Sequence, residues 1–78
     1  MKFIVDLNRV EDVKEFVRNA ENYDCDIMVK NQGRTFMVDA KSIMGIFSLD
    51  LSKPVVVHIE NTEVGESFKN DVAKFIVV

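Results

Sequence analysis

The spacing of hydrophobic and polar residues along the chain changes between two periods and predicts a mixture of strands and helices. Residues 2–7 are rich in β-branched and aromatic side chains, which favour a first strand. Two further strands are predicted at residues 26–30 and 35–38, separated by a turn in which Gly33 can adopt a positive φ. A fourth strand is predicted at residues 55–60.

The fourth strand alternates strictly, which assigns its two faces. We expect one set to lie in the core and the set that contains polar residues to lie on the more exposed face. On this pattern His58 is a solvent-facing strand residue. The inward set comprises Val55, Val57 and Ile59, and the outward set comprises Val56, His58 and Glu60.

Helical spacing predicts a longer helix after the first strand and another at the end of the chain. Asn8 and Glu11 form an Asn-x-x-Glu variant of the capping box, so the first helix is predicted to start at Asn8 and to run to about residue 22. Thr62 is the predicted N-cap of the last helix. The predicted apolar faces comprise Val10, Val13, Phe16, Val17 and Ala20 in the first helix, and Val64, Phe68, Val72, Phe75 and Ile76 in the last.

A short helix is predicted between the third and fourth strands, with Ser42 as its N-cap. This segment has more large apolar side chains than one buried face requires. The surplus side chains form a candidate docking patch. The inward residues are predicted to be Ile46, Leu49 and Leu51, and the outward residues Ile43, Met44 and Phe47.

Composition excludes several functional classes. The 78 residues are enough for one domain, 1–78, and the net charge of −3 without a basic run disfavours nucleic-acid binding. The longest apolar stretches have four or five residues, far short of the ~20 that span a bilayer, so we expect a cytoplasmic protein with no membrane contact. Cys25 is the only cysteine and has no disulfide partner within the chain.

The element order is βαββαβα, which predicts an α+β sandwich with helices on one face of a four-stranded sheet. Within it, Lys41-Ser42-Ile43-Met44-Gly45 followed by Ser48-Leu49 strongly resembles the short central helix of the HPr family, the phosphocarriers of the bacterial sugar phosphotransferase system. Residues 19–27 and 31–34 extend the resemblance. It implies an HPr-like open-faced β-sandwich with an antiparallel sheet in the order 1-4-2-3 and three helices on one face.

The comparison with the HPr family also reveals a difference at the phosphoryl-accepting position. Family members that carry phosphate use a histidine at the start of the first helix, and an ungapped alignment places Arg9 there. A guanidinium stays protonated and is not a nucleophile near neutral pH. We therefore predict no catalytic residue, no enzyme activity, no cofactor and no phosphoryl relay.

The resemblance implies a regulatory or docking protein that acts through residues 42–48. Ser42 matches the serine that a dedicated kinase phosphorylates in the regulatory branch of the family, and the helix cap is its second role. The predicted partner-binding residues are Ile43, Met44, Phe47 and Ser48. The implied partners are proteins of the phosphotransferase system or a carbon-regulation protein, with a serine kinase acting on Ser42, and the chain is expected to be a monomer or a weak homodimer.

Two alternatives stay open from the sequence. The chain can be a phosphocarrier with an unusual acceptor such as His58, the only histidine, or a plain interaction domain. The mid-strand position of His58, away from any helix N-terminus, disfavours the first alternative. A metal site is not predicted, because His58 and Cys25 lie far apart in the sequence.

Overall fold

A computed structural model describes residues 1–77 and has the predicted order of elements. A short 3₁₀ turn, Ala73–Phe75, follows the last helix. The strands are β1 (Lys2–Val5), β2 (Met28–Asn31), β3 (Met37–Asp39) and β4 (Val55–His58), and the helices are α1 (Val10–Ala20), α2 (Ile43–Phe47) and α3 (Thr62–Asp71).

The four strands form one antiparallel sheet in the order β1-β4-β2-β3, which confirms the predicted topology. In β4, Val55 and Val57 are fully buried, whereas Val56 and His58 are half-buried. The residues predicted to face the core are therefore the more buried ones. His58 is nevertheless less exposed than the solvent-facing position predicted for it. The three helices cover the buried face of the sheet and leave the other face open.

An aromatic cluster centred on Phe68 joins the helices to the sheet. Its ring centroid lies 5.3 Å from that of Phe16 in α1, 5.9 Å from that of Tyr23, and 6.3 Å from that of Phe3 in β1. Phe68 and Phe16 are completely buried, and both pairs that Phe68 makes with Phe16 and Tyr23 have the edge-to-face geometry that aromatic rings prefer. The cluster connects α1, α3 and β1 through a single side chain.

The ends of the helices differ from the prediction in three places. The Asn8–Glu11 capping box is not formed: α1 begins at Val10, its N-cap is Arg9, and Arg9 makes no side-chain capping bond. Val10 was predicted to be buried, but it lies in the first turn and is 53% exposed. The N-cap of the helix therefore lies one residue later than the local signal predicts.

The last helix also begins and ends differently. Asn61, and not Thr62, is its N-cap, because the Asn61 side-chain oxygen accepts a hydrogen bond from the Val64 amide at 3.1 Å. The α-helix ends at Asp71, and Ile76 is extended and forms an isolated antiparallel bridge with Val5. The apolar spacing that predicts a helix thus extends beyond the residue at which the helix ends. The residues after the helix are apolar because the chain turns back there and covers the edge strand β1.

The segment after α1 is attached to α3 through Tyr23, whose hydroxyl donates a hydrogen bond to the Asp71 carboxylate. This hydrogen bond, with smaller effects of burial and of the Asp71 charge, raises the pKa of Tyr23 to about 12. Because Tyr23 is the only tyrosine and the chain has no tryptophan, its ionisation can be followed by near-ultraviolet absorbance. We expect a midpoint near pH 12 in the native protein and a shift toward 10.0 in Asp71→Ala.

A raised folded-state pKa also makes stability depend on pH. The Tyr23 contribution is complete below pH 10.0 and is lost as the pH rises toward about 12, because the unfolded chain releases its proton first. The unfolding free energy of the wild type should therefore fall more steeply over this interval than that of Asp71→Ala. The exposed neighbour Asp24 provides the matched control, and an equal loss of slope in Asp24→Ala would contradict the assignment.

No helix within residues 1–77 is long and apolar enough to cross a membrane.

Candidate functional site

The short helix α2 is held by hydrogen bonds at both of its ends. The Ser42 hydroxyl oxygen accepts a hydrogen bond from the Gly45 amide at 3.0 Å, so the predicted cap is present. At the other end, the Ser48 hydroxyl donates to the Gly45 carbonyl at 2.5 Å. A cap of this kind typically contributes about 0.5–2 kcal/mol. These bonds define the orientation of a helix that is too short to be stable by itself.

Gly45 allows α2 to lie close to the sheet. A β-carbon at this position would come within 3.2 Å of the Val38 β-carbon in β3 and of the Ser42 hydroxyl. Ile46 is completely buried beneath the helix, and Leu49 and Leu51 pack against the core from the segment that follows. The inward face of α2 is therefore the one that the sequence predicts.

The opposite face of α2 is exposed, as predicted. Met44 is 81% exposed, and Ile43, Phe47 and Ser48 are exposed as well. We define Ile43, Met44 and Phe47 as the α2 patch. An unbranched thioether and an aromatic ring suit a contact surface, because one adapts its shape and the other supplies area.

Phe36 is a further exposed hydrophobic residue next to this region, and the sequence pattern does not single it out. It was assigned to a strand, but β3 begins only at Met37, and the Phe36 ring is 68% exposed. Phe36 lines a cleft of about 480 Å³ together with Ser48 and Leu49, which directly follow α2. The exposed apolar surface therefore continues beyond the helix onto the β2–β3 turn.

Side-chain bonds to the backbone hold this cleft in shape. The Asn31 amide donates to the Asp50 carbonyl at 2.7 Å and its oxygen accepts from the Asp50 amide at 3.1 Å. Gln32 donates to the Pro54 carbonyl at 3.0 Å. Arg34 and Lys53 also line the cleft. The turn and the segment after α2 thus form one surface that carries two cationic residues and the acidic Asp50.

Cationic residues border the α2 patch on its other side. Lys14 and Arg18 of α1 line a groove of about 320 Å³ together with Lys41 and Ile43. The Lys41 ammonium group donates to the Cys25 carbonyl at 2.9 Å, which limits its motion. Glu21 is the acidic residue among the lining side chains. We call Lys14, Arg18 and Lys41 the cationic rim.

The start of α1 holds the residue predicted to replace the phosphoryl acceptor. The Arg9 guanidinium donates to the Glu11 carboxylate at 3.1 Å through Nε and lies 3.0 Å from the same oxygen through a terminal nitrogen. Both side chains are exposed, so the pair adds little to stability. The pairing also explains the missing capping box, because the Glu11 carboxylate is engaged by Arg9 instead of Asn8.

His58 lies elsewhere, on the open face of the sheet. It lines a separate cleft whose walls include Cys25 and Asn61, the N-cap of α3. The mid-strand position predicts that His58 lies away from any helix N-terminus, and this prediction is wrong, because His58 shares a cleft with the N-cap of α3. His58 remains on a different element from Arg9. The fold also brings His58 and Cys25 to one cleft, which their sequence separation did not suggest.

Comparisons with known proteins identify the family. A family model described as the PTS HPr component phosphorylation site matches residues 12–72, which include α2 and Ser42. This chain belongs to the HPr family. The match begins at residue 12, so it does not include Arg9 at the start of α1. It does include the α2 patch. Membership of this family associates the chain with the phosphotransferase system. Proteins of that system are therefore the partners expected in general.

The fold of the HPr family is also found among solved structures. The crystal structure of a phosphocarrier protein HPr from Bacillus anthracis strain Ames matches with a TM-score of 0.69 over 96% of this chain and 95% of that chain. The two sequences are 24% identical, so this likeness concerns the fold. No curated protein matches the sequence at a significant level.

Proposed function

We propose that this chain is a docking protein of the HPr family that binds its partners through the α2 patch and does not relay phosphate. The observation that carries the proposal is an apolar surface on a capped helix, with Met44 81% exposed, bordered by the cationic rim. Such a surface fits a partner with an apolar groove and acidic residues around it. The fitting partners are proteins of the phosphotransferase system or a carbon-regulation protein.

The absence of relay rests on the chemistry available at the start of α1. Arg9 occupies the N-cap there, and a guanidinium neither accepts nor transfers a phosphoryl group near neutral pH. The single histidine, His58, is on β4 and is half-buried. These placements support a docking role without a carrier step.

Ser42 provides a means of control in this proposal. Its hydroxyl is exposed and lies next to Ile43 of the α2 patch. A phosphate would add about −1.5 to −2 charge beside the cationic rim and so remove most of the positive charge of this surface. Phosphorylation of Ser42 by a serine kinase would then select between partners with different charges.

Two phosphorylation assays test the proposal together. With labelled phosphoenolpyruvate and the first enzyme of the phosphotransferase system, we expect no acid-labile label on this chain. With the family's serine kinase and ATP, we expect the mass of one phosphate, which is absent from Ser42→Ala and retained in Ser67→Ala. Ser67 is an exposed serine of α3 and serves as the matched control.

The outcomes of the two assays separate the parts of the proposal. Label from phosphoenolpyruvate at a rate typical of a carrier would overturn the absence of relay, and its loss in His58→Gln would identify the acceptor. An unmodified mass after treatment with an active kinase would remove the control through Ser42 and leave the docking role to be judged by binding.

A further inference from the structure

The open face of the sheet has more apolar side chains than a face in contact with water requires. Antiparallel strands that face water on one side normally carry polar side chains there. On this sheet every strand contributes one large apolar side chain to the open face, and all four are half-buried. We define these four residues as the open-face patch, which comprises Ile4, Met28, Met37 and Val56.

The register of the sheet arranges the open-face side chains in two rows that cross all four strands. In the order β1, β4, β2 and β3, the first row comprises Lys2, His58, Met28 and Asp39, and the second comprises Ile4, Val56, Lys30 and Met37. Directly opposite side chains of paired strands lie about 4.5–5.5 Å apart, so each row is continuous. The arrangement follows from strand pairing and does not depend on the conformation of a loop.

The first row ends in opposite charges. Lys2 on the edge strand β1 and Asp39 on the other edge strand β3 are both exposed. Neither takes part in a salt bridge within residues 1–77. One carboxylate oxygen of Asp39 accepts a hydrogen bond from the Lys41 amide at 2.8 Å. Three strand spacings of about 4.8 Å separate the two charges, so they are too far apart to pair within one chain.

The charge in the second row is directed away from the open face. The Lys30 ammonium group donates a hydrogen bond to the Arg34 carbonyl in the β2–β3 turn at 2.8 Å. The methylene stem of Lys30 therefore remains on the face, beside Val56 on one side and Met37 on the other. The second row thus presents a mainly apolar surface from β1 to β3.

A two-fold axis parallel to the strands makes the open face complementary to itself. Between two sheets stacked about 10 Å apart, such an axis reverses the order of the strands and keeps each row at its own level. Lys2 of one copy then faces Asp39 of the second copy, and Ile4 faces Met37. An axis across the strands would instead place both charges against apolar side chains, which is unfavourable. The charges therefore select the first arrangement.

We propose that the open face binds a second copy of this chain in a two-fold symmetric dimer, through the open-face patch and two Lys2–Asp39 ion pairs. Four strands of this length present a face of roughly 250 Å². A stable interface buries about 800 Å² per partner, so the dimer is weak and reversible. Asp26 and Glu60 also border the cleft on this face, and their like charges in the two copies limit the affinity.

Sedimentation equilibrium of the full chain measures this self-association. The average mass should rise from that of a monomer toward that of a dimer as the concentration increases toward about 1 mM. Nuclear magnetic resonance of methionine methyl groups labelled with carbon-13 locates the surface. The Met28 and Met37 signals should shift with concentration, and the Met44 signal from α2 should stay in place as a control within the same sample.

Charge-reversal variants test the pairing of the two copies. Lys2→Glu and Asp39→Lys should each raise the dissociation constant of the dimer by roughly 10-fold, because each places like charges at both edges. The double variant should restore the wild-type value. Asp39→Asn keeps a side-chain oxygen for the Lys41 amide and should also weaken the dimer. Lys53→Glu reverses an exposed cation in the segment after α2 and should have no effect.

Four results would overturn the proposal. The first is a monomer at every concentration tested. The second is equal weakening by Lys2→Glu and Lys53→Glu, which would show a general charge effect. The third is a double variant that associates no better than the single variants. The fourth is self-association that is lost in Met44→Asp, which would place it on the α2 patch. None of these results decides whether other proteins dock on α2, so the two proposals can fail separately.

Discussion

Phe68→Ala should lower the free energy of unfolding by about 3–5 kcal/mol, the largest effect expected for any single substitution here. Phe68 is completely buried, and its ring contacts Phe16, Tyr23 and Phe3, which belong to three different parts of the fold. Alanine would leave a cavity at the point where α1, α3 and β1 meet. Since native proteins have only about 5–15 kcal/mol of stability in total, a large part of the margin would be lost.

Urea denaturation followed by circular dichroism measures this loss. Phe36→Ala removes the same ring from a position that is 68% exposed, and it should change the unfolding free energy by no more than about 0.5 kcal/mol. If Phe68→Ala is too unstable to study, Phe68→Leu keeps much of the volume and should show a smaller loss. Equal effects at positions 68 and 36 would contradict the packing described for the core.

Met44→Asp should weaken docking by roughly 30-fold or more, the second large effect, because an apolar residue at the centre of an interface commonly contributes about 2 kcal/mol or more. Met44 is the most exposed member of the α2 patch. An aspartate at this position would bring a negative charge into a contact from which water is excluded. Calorimetric titration against the first enzyme of the phosphotransferase system measures the change. Folding should be unaffected, since the Met44 side chain is 81% exposed.

Val77→Asp is the matched control for this experiment. It places the same charge at another exposed apolar residue, 40% exposed and outside the α2 patch, so binding should be retained. Equal weakening by both variants would indicate a general charge effect. Wild-type binding that persists in Met44→Asp would place the interface elsewhere, and Phe36 beside the neighbouring cleft would be the next residue to test.

The local signals in the sequence were reliable where they concerned a single turn of chain. Ser42 caps α2, and Gly33 adopts a φ of 76°, as predicted, because both outcomes depend on interactions within a few residues. The burial of Val55 and Val57 was also correct, since alternation along a strand determines which side chains share a face. The resemblance to the HPr family, which centres on residues 41–49, added the sheet order.

Local signals failed where two neighbouring residues competed for the same role. Asn8 and Thr62 both have side chains that cap helices well, yet the caps are Arg9 and Asn61. A shift of one residue changes little in local energy, so the packing of the helix on the sheet decides between the candidates. The exposure of Val10 follows from the same shift, because the first turn of α1 extends beyond the core.

The sequence by itself determined the order of the elements, the two faces of α2 and the absence of a histidine near the start of α1, because each depends on residue type and spacing alone. Only the tertiary structure decided which distant residues become neighbours. It placed Phe36 beside the segment that follows α2 and brought Cys25, Met28, Met37 and His58 to one cleft. Strand register sets these distances, and register results from pairing across the whole sheet, which no single segment specifies.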